Sequence, residues 1–112
     1  MRPKALTLTG SGSGTTNSAP LRVNWRAETT SLSLKTSGST TGFSAQYTLT
    51  SPDGYASGTA WAAAATWHTV DDISAVTANA AAGIFGPVHG VRLQANASGT
   101  DTGTLTVIQA AC

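Results

Sequence analysis

The sequence predicts an all-β protein: one antiparallel β-sandwich or jelly-roll-like domain over residues 1–112. Three observations lead there: repeated alternation of apolar and polar residues, Gly- and Ser-rich stretches between the alternating segments, and a length of only 112 residues. Alternation with a period of two is typical of strands that bury one face. A chain of about 100–200 residues forms one domain around one hydrophobic core.

Six segments carry this alternation, and turn-forming residues separate them: residues 5–9, 21–26, 31–35, 43–50, 91–96 and 104–107. Several short strands between turn signals favour a sandwich over a helical fold. We expect residues 91–95 and 104–109 to form a hairpin joined by the loop 98–103. The loop 37–42 is short enough for another hairpin, and the Gly/Ser-rich stretch at about 10–19 is expected to be a flexible loop.

The segment between residues 55 and 85 alternates least clearly. Its alanine run has helix-forming residues but lacks a charged face, and short helices are marginal alone. We therefore expect a loop or short strand around Trp67, with room for one helical turn. A short edge segment is expected at 72–76. A strand that includes Ile84 should be interrupted at Pro87, because proline cannot donate a hydrogen bond to a neighbouring strand.

The composition excludes several classes of protein. Charged residues make up 10% of the chain, against about 25% in a typical soluble domain. The six Lys and Arg residues are spread along the sequence, which argues against a nucleic-acid partner. No apolar run is long enough to span a membrane. The start of the chain lacks the apolar core of a signal peptide, so we expect folding in a reducing cytoplasm, with Cys112 outside any internal disulfide.

Chemistry-bearing residues do not form a recognisable motif. A zinc site needs three or four converging ligands, whereas His68 and His89 are far apart in sequence and have no ligand-like companion. His68 with Asp71 or Asp72 is an alternative acid–base pair, but we prefer to interpret it as a loop histidine near a turn. We therefore predict a non-enzymatic protein with no catalytic residues, no metal and no cofactor.

Three tryptophans raise the question of a ligand platform. Trp25 has the parity of Leu21 and Val23, so we expect it to fill the core beside them. The alternative is that exposed tryptophan rings stack on a sugar. Trp61 and Trp67 have no clear parity and are candidate interface residues, since tryptophan is enriched at protein–protein interfaces.

The outward positions of the predicted strands are mostly Thr, Ser, Asn and Gln. An isolated sandwich usually places Lys and Glu there to stay soluble and to protect its edges. Their scarcity favours permanent packing against other copies of the chain or a host surface; the alternative is a chain that tolerates some non-specific stickiness. Arg22, Arg26 and Arg92 are then interface candidates, because a guanidinium suits carboxylates and carbonyls of a partner; a solvated arginine is the alternative. Ile108, on outward parity, is a further candidate.

Several short motifs resemble a known group of proteins. They are the run from Gly86 to Leu93, the run from Thr102 to Gln109, and Leu6–Gly10 near the start, with Trp67 and residues 77–79 in the intervening loop. In this arrangement the chain resembles small proteins encoded among the head genes of tailed bacteriophages.

The resemblance implies a β-sandwich virion protein that decorates or cements the capsid. It would bind the major capsid protein and its own copies, commonly as a trimer, on the capsid surface after assembly in the host cytoplasm. The alternative is a tail or fibre module that binds a host-surface glycan or another tail protein. Neither reading involves nucleic acid or a membrane.

Overall fold

The computed structural model describes residues 3–25, 29–96 and 98–109. Within them the chain forms two antiparallel sheets packed face to face, which confirms the predicted all-β sandwich. The elements are, in chain order, β1 (Lys4–Thr9), β2 (Thr16–Asn17), β3 (Leu21–Arg22), β4 (Thr29–Thr36), β5 (Phe43–Thr48), α1 (Gly58–Ala64), β6 (Trp67–Thr69), a 3₁₀ turn (Asp71–Ile73), β7 (Ala80–Phe85), β8 (Gly90–Ala95) and β9 (Thr102–Gln109).

One sheet has four strands in the order β1-β9-β4-β7. The second has the order β2-β8-β5-β6, and β3 pairs with β8 along the edge that β2 also uses. Every pairing is antiparallel. β7 and β6 are therefore edge strands, as is β1 at the opposite end of the four-stranded sheet.

The core lies between the two sheets and comes from alternate residues of their strands. In β4 Leu32 and Leu34 are buried while Ser31, Ser33 and Lys35 are exposed. The same alternation in β8 and β9, with Phe43 and Ala45 of β5, supplies most of the remaining core, which also takes in Val70, Ile73, Ile84 and Val88. The rest of β5 departs from the pattern: Gln46 and Thr48 are buried, whereas Leu49, which has the parity of Phe43 and Ala45, is 58% exposed. Alternation thus identified the buried side chains of β4, β8 and β9.

The two predicted hairpins are wrong. β8 and β9 are consecutive, but β8 belongs to the second sheet and β9 to the first. β4 and β5 are divided in the same way, so loops 37–42 and 98–103 each cross from one sheet to the other. Alternation identifies the buried face of a strand but not its partner, and a short loop is compatible with either connection.

The region between residues 55 and 85 is more ordered than expected. α1 has seven residues, about two turns, instead of one, and Ser57 caps it by accepting a hydrogen bond from the Ala60 N–H at 3.1 Å. A strand, β6, does form around Trp67. Residues 72–76 form no edge strand: they lie partly in the 3₁₀ turn, and only Val76 makes a single bridge, to Phe43.

Trp25 does not fill the core, contrary to the prediction, because its side chain is 50% exposed. Strand β3, whose alternation predicted an inward position for Trp25, ends at Arg22. Beyond Arg22 the buried side chain of Gln109 hydrogen-bonds to the backbone of Asn24: it accepts from the N–H at 2.9 Å and donates to the carbonyl at 3.0 Å. Trp25 therefore lies outside the strand, where alternation no longer decides which side faces the core.

The Gly/Ser-rich stretch contains local structure. The Ser11 hydroxyl accepts a hydrogen bond from the Gly14 N–H at 3.1 Å, and β2 then pairs with β8. The flexibility expected for residues 10–19 stays a prediction.

The two sheet-crossing loops are joined by Asp101. Its carboxylate accepts hydrogen bonds from the backbone N–H groups of Thr40 at 2.8 Å and Thr41 at 2.9 Å. In return the Thr41 hydroxyl accepts from the Asp101 N–H at 3.0 Å. Gly38 passes so close to the carboxylate that a Cβ there would collide with it. The N–H donors of Thr41 and Thr40 favour the ionised form and lower the pKa of Asp101 below its ordinary value.

Gly103 provides a test of the inter-sheet packing. A Cβ at this position would lie 2.8–2.9 Å from the ring of Phe43, which is fully buried. We expect Gly103→Ala to destabilise the fold by about 1–3 kcal/mol, the usual cost of overpacking a core. Denaturant unfolding measures this. The control is Gly83→Ala on β7, where a Cβ meets nothing within 4 Å, and it should change the free energy of unfolding by less than about 1 kcal/mol. Equal effects of the two variants would contradict the packing described.

Asp101 predicts a pH dependence of stability. Because its pKa is lowered on folding, its contribution is fully present above the unfolded-state pKa, near 3.8, and is lost as the pH falls through the lower folded-state value. Asp101→Asn should therefore be less stable than the parent at pH 7, and the difference should shrink below about pH 4. Thermal unfolding across this range tests the prediction, and a difference that stays constant with pH would refute it.

Candidate functional surfaces

Trp61 anchors α1 on the outer face of the five-stranded sheet. The residue is 1% exposed, and its ring lies against Gly90 of β8, where any side chain would collide with it. Its indole N–H donates to the Thr50 carbonyl at 2.9 Å. The absence of a side chain at Gly90 makes the docking of α1 possible. Trp61 is thus a packing residue, and it offers no surface to a partner.

Trp67 and Arg92 lie beside this helix on the same face. The Trp67 ring centroid is 6.1 Å from that of Trp61, and its N–H donates to the Ala62 carbonyl at 3.0 Å. The Arg92 guanidinium carbon lies 4.5 Å from the Trp67 ring centroid, within the range of a cation–π interaction. Arg92 Nε also donates to Gln46 Oε1 at 2.7 Å.

This arrangement limits what the Trp67 cluster can bind. One face of the Trp67 ring is covered by the guanidinium, so that face cannot stack on a sugar. Partial burial lowers the pKa of Arg92 from its ordinary value, although an arginine remains charged at any physiological pH. The cluster therefore presents a partly buried positive charge held by its own chain.

A small pocket of about 130 Å³ lies at the end of β3. Trp25 stacks on His89 there, with 6.1 Å between ring centroids and an interplanar angle of 28°. Arg22, Pro52 and Asp53 complete the wall. In this pocket the half-exposed Trp25 lies near the positively charged Arg22 and the negatively charged Asp53.

The outer face of the four-stranded sheet has a different character. We call it the neutral face; it consists of the outward side chains Ala5, Thr7, Thr9, Thr29, Ser31, Ser33, Lys35, Ala81, Gly83, Phe85, Thr102, Thr104, Thr106 and Ile108. Lys35 is its one charged residue among those described. Ile108, 45% exposed, does lie on outward parity, and Phe85 is 86% exposed.

Phe85 and Ile108 lie at one end of the neutral face. Ile108 is opposite Ser31, Ser31 is opposite Gly83, and Phe85 follows two residues after Gly83 in β7. Small residues, Ser31 and Gly83, separate the two apolar side chains. Sequence reasoning missed Phe85, although its place two residues from Gly83 in an alternating strand is a signal for outward parity.

A groove of about 400 Å³ lies where the edges β7 and β6 approach each other. Val70 and Ile84 contribute apolar wall, Tyr47 and Thr69 line the second sheet, and Asp71 and Asp72 supply two exposed carboxylates. His68 does not form the alternative acid–base pair as a defined contact; its ring instead packs on Tyr47 at 5.4 Å between centroids.

The six sequence-predicted interface residues do not form one site. Trp61, Trp67 and Arg92 come together on one outer face, Arg22 lies beside the Trp25 pocket, and Ile108 is on the opposite sheet. Arg26 and Cys112 lie outside the described residues. Within the described ranges no group of three or more His, Cys, Asp or Glu side chains converges as metal ligands would, and no helix there is long and apolar enough to cross a membrane.

Comparison with solved structures places this sandwich among known folds. The SPBc2 prophage-derived protein YomS is similar with a TM-score of 0.50 and 12% identity, over 98% of this chain and 96% of that chain. AlgX of Pseudomonas aeruginosa has a TM-score of 0.49 and 9% identity, over 96% of this chain and 26% of AlgX. PliG of Aeromonas hydrophila, a periplasmic inhibitor of g-type lysozyme, has a TM-score of 0.44 and 17% identity, over 96% of this chain and 86% of PliG.

At these identities the likenesses concern the fold alone. No protein-family model matches the sequence, and no curated protein matches it. The class of protein that is established is therefore an all-β sandwich with YomS as a full-length structural neighbour.

Arg92 gives a test of the Trp67 cluster. Arg92→Ala removes the cation over the ring and the hydrogen bond to Gln46, so we expect a loss of about 1–2 kcal/mol of unfolding free energy. Trp67 should also become more accessible to acrylamide quenching, measured in a Trp25→Phe background that removes the exposed indole. Arg22→Ala, a change at an exposed arginine, is the control and should alter neither quantity by much. Unchanged quenching in Arg92→Ala would contradict the contact.

Proposed function

We propose that this chain is a non-enzymatic structural protein of a bacteriophage particle, a capsid decoration or cement protein. Its partners are the major capsid protein and further copies of itself. The observation that carries the proposal is the neutral face, a sheet surface with one charged side chain and a highly exposed phenylalanine. Exposed apolar groups of this kind mark surfaces that are covered by a partner.

The mechanism is additive burial. Covering Phe85 and Ile108 removes two apolar side chains from water, and complete burial of such a side chain is worth about 1.5–3 kcal/mol. The contact of one copy is small. On a shell with many equivalent positions the same contact is repeated, and neighbouring copies that touch each other bind with higher avidity than any single copy.

Two further observations support a phage particle. YomS, which matches the chain over nearly its full length, is a prophage-derived protein. The motifs from Gly86 to Leu93 and from Thr102 to Gln109 resemble head-gene proteins of tailed phages. In the fold the first leads into β8 and the second forms β9, and each of these is an inner strand of its sheet.

A second candidate function has its own observation. The pocket that holds Trp25 and His89 between Arg22 and Asp53 combines a half-exposed aromatic ring with polar side chains, as sugar-binding sites do. A tail or fibre module that binds a host-surface glycan would use this pocket and leave the neutral face uninvolved.

Paired substitutions separate the two functions. Phe85→Ser combined with Ile108→Ser should cost little unfolding free energy, because Phe85 is 86% exposed and Ile108, at 45%, lies outside the core between the sheets. It should lower the affinity for capsids that lack the protein at least about tenfold. Leu49→Ser is the matched control: Leu49 is 58% exposed but lies off the neutral face, so binding should persist. Sedimentation of the proteins with capsids measures both.

The number of copies per particle gives an independent test. Quantitative mass spectrometry of purified virions should find hundreds of copies of a cement protein, and a handful would overturn that role. Trp25→Ala should then decide the alternative: loss of glycan binding or host adsorption with robust heads would support the tail module.

A further inference from the structure

The four-stranded sheet ends in two strands that each have one unpaired side. Within the described ranges, β1 pairs only with β9 and β7 pairs only with β4. Each of these edge strands has six residues. The free side of such a strand presents backbone N–H and C=O groups that another strand can pair with.

The sequence of β7 contains none of the residues that usually protect a sheet edge. Sheet edges are commonly protected by lysines, prolines, bulges or very short strands. The strand Ala80–Phe85 contains no charged residue and no proline, and at Gly83 even an added Cβ would meet nothing within 4 Å. The 3₁₀ turn Asp71–Ile73 packs beside β7, but among the described residues no backbone hydrogen bond joins the two. The backbone groups on this side of β7 are therefore available to a second strand.

The direction of β1 fits this edge. Three antiparallel pairings separate β1 from β7, so the two strands run in opposite directions. A second copy that continues the sheet without turning over brings its own β1 antiparallel to β7 of the first copy. The neutral faces of both copies then lie on the same side and form one larger surface.

The charged residues beside the two edge strands favour pairing of β1 with β7 of another copy. Lys4, at the exposed start of β1, lies in the same row across the sheet as Ala82 of β7. Asp71 and Asp72 line the groove beside Gly83, Ile84 and Phe85. Positive and negative charges thus lie at the same end of the sheet on opposite edges. A two-fold contact would instead pair β7 of one copy with β7 of the other. Lys4, on the opposite edge of each sheet, would then lie far from Asp71 and Asp72 of either copy.

We propose that copies of this chain associate head to tail, with β1 of one copy added to β7 of the next and Lys4 placed against Asp71 and Asp72 of that neighbour. The inference rests on the self-association in the proposed function and names the surfaces that carry it. Because the two surfaces differ, the contact is heterologous and repeats around a ring or along a row. It joins neighbouring copies while leaving the neutral face of each copy free for the capsid.

Engineered disulfides test the edge contact directly. In a Cys112→Ser background, Thr7→Cys is combined with Ala81→Cys or with Gly83→Cys. The two combinations test two possible alignments of β1 of one copy with β7 of the next, both at positions on the neutral face. Within one copy these strands are three spacings apart, about 14 Å, too far for a disulfide. Any disulfide is therefore intermolecular. We expect the purified protein to form covalent oligomers under mild oxidation. One of the two cysteine pairs should crosslink at least about fivefold faster than the control pair.

The control pairs Thr7→Cys with Ser33→Cys. Ser33 is exposed on the same face but belongs to β4, which β9 and β7 flank. Its crosslinking reports random collision. Equal crosslinking of the test and control pairs, or none in any pair, would overturn the edge contact.

Charge reversal tests the electrostatic part. Lys4→Glu, and separately Asp71→Lys with Asp72→Lys, should each weaken association at least about threefold; all three changes together should restore it. All three side chains are exposed, so folding is expected to persist, and circular dichroism verifies this. Failure of the triple variant to regain affinity would overturn the proposed pairing of charges.

The outcomes distinguish this inference from the proposed function. A low copy number in particles with efficient Thr7–Ala81 or Thr7–Gly83 crosslinking would defeat the decoration role and leave the edge contact standing. A high copy number with crosslinking no better than the control would do the opposite.

Discussion

The contact between Phe43 and Gly103 is the constraint on which the rest of the sandwich depends. Phe43 begins β5 in one sheet, and its ring fills the space that Gly103 of β9 leaves open in the other. The sheets meet here at the point where both sheet-crossing loops arrive, and Asp101 ties those loops together through Thr40 and Thr41. Because the connections cross between sheets, each sheet is assembled from distant parts of the chain. Backbone pairing sets the register within each sheet, and this shared core holds the two sheets against each other.

The two outer faces of the sandwich differ in a way that bears on function. The five-stranded sheet is partly covered by its own chain: α1 docks through Trp61, and Arg92 covers Trp67. The four-stranded sheet receives no such cover in the described part of the chain, and Phe85 remains in solvent. The outer face of the five-stranded sheet is thus partly covered by residues of the same chain. The neutral face of the four-stranded sheet is the one that a partner is proposed to cover.

Sequence patterning predicted the fold class and the burial of β4, β8 and β9 well, because a period of two directly encodes which side faces the core. In β5 it was correct for Phe43 and Ala45 but not for Leu49, which is 58% exposed. It did not predict which strands pair, since the same alternation suits either sheet. Trp25 shows a second limit: parity with Leu21 and Val23 predicted a core position, but β3 ends at Arg22, and the Asn24 backbone is instead hydrogen-bonded to Gln109, 85 residues away in sequence. At the surface, Ile108 was found by parity, whereas Arg92 with Trp67, and Trp61 over Gly90, depend on contacts between strands and helix that no local pattern encodes.

The side chains of the neutral face have a consequence for the entropy of binding. Alanine and glycine lose no rotamer freedom when they are covered, and threonine and serine lose little, whereas each immobilised lysine or arginine costs up to about 2 kcal/mol. Apart from Lys35, Phe85 and Ile108, the residues of this face are Ala, Gly, Thr or Ser. Covering such a surface costs little side-chain entropy, so a contact of modest area can retain most of the free energy gained from burial.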